Sequence, residues 1–177
     1  SVGTSVGVNA LLSKTLGARN RERATKIANT SIMLALINGA VFSLTGIFFA
    51  QKLARSFTTV ESTAALCADY LSICMIFCFG NFIETMLQRF LQAAGNTVLS
   101  MCSLIAGAVT NIILDPILIF GLFGFPALGI RGAAIATVIG QWLGAAVALL
   151  LNRFCNREVI VDFRGFCPEK EIIFGIY

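Results

Sequence analysis

Apolar residues run along this chain in five long blocks, and polar residues gather in the gaps. The blocks are Ser1 to Ser13, Ile27 to Gln51, Ser62 to Gln88, Thr97 to Phe120 and Gly132 to Asn152. A helix needs about 20 apolar residues to cross a bilayer core, and four blocks meet that length. The first reaches only about 20 Å at ~1.5 Å per residue. The chain is therefore expected to begin inside a membrane helix, with at least one helix upstream. The pattern predicts an all-α fold, a polytopic membrane helix bundle of about five transmembrane helices.

The gaps carry turn and topology signals. Lys14 to Lys26 holds five basic residues and one acid; Gly17 is placed to end one helix and Asn20 to cap the next. Gly80-Asn81 interrupts the third block, and Gly95-Asn96 reads as a stop and restart. Gly121 to Arg131, with Pro126 and Gly129, reads as a loop. A polar tail follows Arg153. If the helices alternate, one face of the membrane receives ten of the Lys and Arg residues and the other receives three, Lys52, Arg55 and Arg131. The positive-inside bias makes the first face cytosolic, with the tail on that side.

Composition narrows the classes further. The chain is 57% apolar and 12% charged, where soluble domains carry about 25% charged residues. The net charge of +4 is spread over the gaps, so it does not read as a nucleic-acid surface. No histidine is present, so neither a Ser-His-Asp nor a Cys-His arrangement can be built, and the expected function is not enzymatic. No organic cofactor is implied. The six cysteines form no CxxC pair and read as small packing residues. Small residues such as Gly107-Ala108, Gly132-Ala133-Ala134 and Gly144-Ala145-Ala146 permit close helix contacts.

One charge changes the picture. Between Arg89 and Arg131 the only ionisable acid or base is Asp115, and Pro116 follows it. An Asp at a bilayer centre costs about 2.5–3.5 kcal/mol on insertion scales, so it is read as functional by default. Asn111 lies four residues earlier, on the same helix face. Pro116 has no N–H, which frees the carbonyl of Ile112 and makes Pro116 a candidate helix bend. A carboxylate, an amide and a free carbonyl are hard ligands, suited to a proton or Na⁺. No other metal is implied. Thr137 and Gln141 are the polar pair of the next block and can face Asp115 across a bundle; helix-to-helix glue is the competing reading. Asp69 reads as a solvated charge at the outer interface. Glu84, Gln88 and Arg89 read as ordinary charges and amides near the inner interface.

Four segments carry a resemblance. They are Ala10-Leu11-Leu12-Ser13-Lys14 with Leu16-Gly17-Ala18; Arg89-Phe90-Leu91-Gln92-Ala93-Ala94-Gly95-Asn96; Asn111-Ile112-Ile113-Leu114-Asp115-Pro116; and Gly129-Ile130-Arg131-Gly132-Ala133-Ala134 with Ala136-Thr137 and Gln141. Their order and spacing resemble the multidrug and toxic compound extrusion (MATE) family, and the Asn-x-x-x-Asp pattern resembles its damage-inducible prokaryotic branch.

The resemblance implies a twelve-helix exporter of two six-helix lobes. Residues 1–164 would be helices two to six of the N-terminal lobe, and residues 165–177 the start of a cytosolic linker to the second lobe. Asp115, Asn111 and Thr137 would bind the coupling ion, H⁺ or Na⁺, together with an Asp of the first helix, which this chain does not contain. Gln141, Gln92 and Gln88 are candidates for the substrate cavity. The expected function is antiport of organic, often cationic drugs by alternating access, in a prokaryotic plasma (inner) membrane. Expected partners are membrane lipid, a small organic cation, and the first helix and second lobe of the same protein, with no nucleic acid. The alternatives are a flippase for lipid-linked precursors and a non-transporting membrane scaffold.

Overall fold

The structure is a computed structural model that describes residues 2–57, 61–156, 159 and 172. Its helices are α1 (Val2–Gly17), α2 (Arg21–Phe57), α3 (Glu61–Ile76), α4 (Phe79–Ala93), α5 (Thr97–Phe120) and α6 (Ile130–Cys155), with a 3₁₀ turn at Leu122–Gly124. No strand occurs among the described residues. The start of the tail, residues 165–177, lies outside them apart from Ile172.

Five apolar blocks become six helices because the third block divides. α3 and α4 meet at 50° and together pass as one bent span; α2, α5 and α6 are each long and apolar enough to cross by themselves. α1 has 16 residues, about 24 Å at ~1.5 Å per residue, and is shorter than a full crossing.

The break falls at Phe77-Cys78, ahead of the expected Gly80-Asn81. Its cause is tertiary. The Ser43 hydroxyl of α2 donates to the Ile76 carbonyl over 3.2 Å, and the Cys78 thiol donates to the Gly39 carbonyl at 3.5 Å. α2 thus supplies a donor to one carbonyl at the open end of α3, where backbone groups otherwise lack partners, and an acceptor for the thiol at the break. Gly80 sits in the first turn of α4, where a methyl group would lie 3.0 Å from the Trp142 indole. It is a packing position for α6.

Two turns form as their residues dictate. The Asn20 side-chain oxygen accepts from the Arg23 N–H over 3.0 Å and caps α2. Gly95, at φ +83°, lets Asn96 N–H reach the Leu91 carbonyl at 2.8 Å and its own N–H reach Gln92 at 2.9 Å. That is the paired bonding of a left-handed helix stop, and it turns the chain directly into α5.

The apolar core lies among α1, α2 and α4, where Val8, Leu12, Ile27, Met86, Leu87 and Phe90 are buried. Phe48, Ile105, Ile112 and Phe154 are exposed, as expected of helices whose solvent is hydrocarbon. α5 and α6 pack along a seam of small residues. A methyl group on Gly107 would lie 3.0 Å from the Gly140 carbonyl oxygen, and one on Gly140 would lie 2.9 Å from that of Gly107. Backbones this close are a feature of membrane helix pairs.

Candidate functional site

The seam places the polar residues. With Gly140 pressed against Gly107, the Asn111 Cβ lies 3.4 Å from where a Gly140 methyl would stand. The Asn111 amide therefore reaches Thr137, one turn before Gly140 on α6. Asp115 follows one turn along α5. The helix continues through Pro116 to Phe120 and closes at Gly121, so the proline leaves α5 unbroken.

The Asn111 amide can be placed in two orientations, and only one of them satisfies both of its ends. In one, its nitrogen donates to Asp115 Oδ2 at 3.1 Å, and its oxygen accepts from the Thr137 hydroxyl at 3.2 Å and the Thr137 N–H at 3.1 Å. This orientation suits an ionised carboxylate, which only accepts. In the other, the nitrogen donates to Thr137 Oγ1 at 3.2 Å, and the Thr137 hydroxyl donates to the Ala133 carbonyl at 2.9 Å. The amide oxygen then faces the Asp115 Oδ2 acceptor and the nitrogen faces the Thr137 N–H donor, so both contacts are unfavourable. Asp115 Oδ1 is buried with no hydrogen-bond partner, an unusual condition for a carboxylate oxygen.

A cavity of about 240 Å³ opens beside this group, lined by Asn111, Thr137, Gln141, Glu84, Leu104 and Ala108 along with the seam glycines. The Gln141 side-chain oxygen is buried and unpartnered. Of the other cavity candidates, Gln88 donates to Glu84 Oε1 at 3.0 Å. Gln92 lies away from the cavity. It accepts from Arg89 at 2.7 Å and donates to the Ser100 hydroxyl at 2.9 Å, tying α4 to α5.

Glu84 corrects the sequence reading. It is not an interface charge but a buried one, 8% exposed, aimed at α6 where a Gly144 side chain would strike its carboxylate. The available signal was spacing: Gly80, Glu84, Leu87 and Leu91 all fall on the buried face of α4, at the intervals of one helix stripe. A larger cavity, about 590 Å³, is lined by Gln51, Arg55, Glu61 and Asp69 and holds none of the candidate residues. Near it, Arg131 donates to Asp69 Oδ2 at 2.9 Å from Nε and lies 2.9 Å from it through a terminal guanidinium nitrogen.

Comparison with known proteins agrees on the family. The MatE family model matches residues 1–117. The chain is 35% identical over 142 residues to the probable multidrug resistance protein YoeA of Bacillus subtilis, covering 78% of this chain and 30% of that protein. It is 31% identical over 171 residues to the probable multidrug resistance protein NorM of Thermotoga maritima, covering 96% of this chain and 36% of that one. Among solved structures, an inward-facing multidrug resistance MATE family transporter superposes with TM-score 0.88 at 27% identity, covering 98% of this chain and 39% of that one. An outward-facing conformation of such a transporter gives TM-score 0.88 at 26% identity, covering 98% and 38%. The chain thus spans about a third of the length of these relatives. A helical membrane bundle with these relatives, and a family match across residues 1–117, belongs to the MatE family of multidrug efflux transporters.

Proposed function

We propose that the whole protein is a cation-coupled drug antiporter of a prokaryotic plasma membrane, and that Asp115 with Asn111 and Thr137 binds the coupling ion. The observation that carries this reading is the Asn111 amide that joins Asp115 to Thr137, beside a buried and unpaired Asp115 Oδ1. Loading a proton on Asp115 Oδ2 makes that oxygen a donor. The Asn111 nitrogen, which donates to that oxygen at 3.1 Å, then faces a donor. One proton therefore weakens the hydrogen-bonded link that runs from Asp115 through Asn111 on α5 to Thr137 on α6. A ligand shifts a two-state element only by binding its states differently, and Asp115 does so here. Na⁺ is the rival occupant, drawn by Asp115 Oδ1, the Asn111 oxygen and the Ile112 carbonyl freed by Pro116. The chain would supply part of an N-terminal lobe, its tail leading into the cytosolic linker.

The test is Asp115→Asn in the full-length protein reconstituted in lipid vesicles. Efflux of an organic cation such as ethidium, driven by a pH or Na⁺ gradient, is expected to fall to that of protein-free vesicles, while the protein elutes as the folded species. Coupled efflux at the wild-type rate would overturn the assignment.

A further inference from the structure

The apolar core stops halfway along the second helix and at the break in the bent span. Among the described residues it takes Ala24, Ile27, Ala28 and Ala35 from α2 and nothing beyond them, and it takes Phe82, Met86, Leu87 and Phe90 from α4 and nothing from α3. The second half of α2 therefore forms, with α3, a hairpin outside the core. The two arms of that hairpin hold each other. A methyl group on Gly46 would lie 2.5 Å from the Met75 Cβ, and Ser43 donates to the Ile76 carbonyl. The rest of the lobe holds the hairpin lightly. α3 touches α6, yet of its 16 residues only Ala64 is buried. The Asp69–Arg131 pair between them is exposed, and water and salt replace such a pair at little cost. A cavity of about 590 Å³ stands between the arms, beside Gln51, Arg55, Glu61 and Asp69. Few buried contacts mark the parts of a fold that open most easily.

A joint lies where this hairpin meets the core. α3 and α4 meet there at 50°. The backbone ladder is thin, for the Cys78 N–H reaches the Met75 carbonyl only at 3.5 Å, beyond the usual range. The links across the joint are soft as well. The Cys78 thiol, a weak donor, meets the Gly39 carbonyl. The Phe79 ring packs on Gly39, where a methyl group would stand 2.8 Å from it, and the Phe42 and Phe82 rings lie 5.5 Å apart. Gly39 thus gives the unbroken α2 its most pliant backbone level with the break in its partner.

We propose that the second half of α2 and all of α3 swing as one arm about Gly39 and Phe77-Cys78, opening and closing the end of the lobe away from the basic turn at residues 14–26, while α1, α4 and the first half of α2 keep their packing. The proposal rests on the transporter reading for the motion itself, and it places that motion inside the lobe. Leu66 lies ten residues before Ile76, about 15 Å along α3 at ~1.5 Å per residue. A rotation of about 15°, the size of known switching rotations, carries it about 4 Å.

Double electron–electron resonance on the full-length protein in lipid nanodiscs reads the two parts separately. The native cysteines are replaced, Cys78 by Ser to keep a donor to Gly39. One nitroxide pair, on Leu66→Cys and Phe120→Cys, spans the arm and α5; the other, on Arg21→Cys and Leu150→Cys, spans the inner ends of α2 and α6. All four positions are exposed. Saturating ethidium is expected to shift the first pair by about 4 Å and to leave the second in place; no shift in the first, or an equal shift in both, overturns the proposal. Asp69→Cys with Arg131→Cys, bridged by a short bis-methanethiosulfonate, ties the arm to α6. Gradient-driven ethidium efflux is expected to fall to that of protein-free vesicles and to return when a reductant cuts the bridge. Efflux undiminished by the bridge overturns the arm and leaves the Asp115 reading standing; coupled efflux retained in Asp115→Asn, with the first pair shifting, does the reverse. Should the cysteine-replaced protein fail to fold, hydrogen–deuterium exchange on the wild-type protein decides. Ethidium is expected to change exchange over residues 40–57 and 61–76 and not over residues 2–35, and a change shared by both or by neither overturns the proposal.

Discussion

Asp69 and Glu84 lie 15 residues apart in one apolar block, and the fold treats them in opposite ways. Asp69 sits at the rim of the bundle, where Arg131 meets it at 2.9 Å and both side chains stay open, 39% and 64% exposed. Its charge is answered inside the chain and by solvent. Glu84 is buried, has only an amide for a neighbour, and borders a cavity. Asp115 is partly buried, with one oxygen enclosed and unpaired. The lesson is that a charge on a membrane helix does not reveal its role by being there. A charge with its partner built in fastens two helices, and a buried charge without one is left to be answered by something that comes and goes.

If the chamber works through its open space and the rim does not, filling the chamber is the most damaging change. Gly140→Val puts branched carbon where even a methyl group would lie 2.9 Å from the Gly107 carbonyl oxygen and 3.4 Å from the Asn111 Cβ. The seam must separate or Asn111 must turn away from Thr137. Gradient-driven ethidium efflux in vesicles is expected to vanish, with Gly140→Ala intermediate between it and wild type. Full efflux in Gly140→Val would break the contrast at its strongest point, because the α5–α6 spacing would then not set the site.

Much of this was legible beforehand. The five blocks and the helix stops at Gly95 and Gly121 follow from apolar length and turn chemistry, and Asn111, Asp115 and Thr137 stand out as polar exceptions in apolar runs. The break at Phe77-Cys78 was not legible, because its partners are Ser43 and Gly39 on another helix; local sequence pointed instead to Gly80-Asn81, of which Gly80 is a packing position for α6. Glu84 was missed for a related reason. Near the end of a span a carboxylate resembles an interface charge, and only the placement of Gly144 opposite it shows that α6 closes over it. Gln92, grouped with the cavity candidates, is held by Arg89 and Ser100.

A moderate effect is expected where α4 is fastened to α6 beyond Glu84. Asn152 is buried, donates to the Leu87 and Ala148 carbonyls at 2.9 Å each, and accepts from Asn156 at 3.1 Å. Asn152→Ala removes one hydrogen bond each from the Leu87 carbonyl and the Asn156 amide, which keeps its bond to the Phe90 carbonyl, a loss of about 0.5–1.5 kcal/mol per bond. Thermal unfolding in detergent should shift down. A variant as stable as wild type would show that apolar packing alone holds α4 on α6.

The smallest effect belongs to the rim. Arg131→Gln removes the cation from an exposed pair, and such pairs contribute about 0–1 kcal/mol because water and salt answer both charges nearly as well. Asp69, 39% exposed, keeps its charge at little cost when Arg131 is gone. Thermal stability should therefore change slightly, and the change should shrink as salt is raised, since exposed charges are screened over about 10 Å at 0.1 M. Transport and ethidium binding should match wild type. Loss of transport in Arg131→Gln with stability intact would invert the comparison, for the Asp69–Arg131 pair would then be the part that works, holding α3 to the start of α6 in one conformation and releasing it in the other.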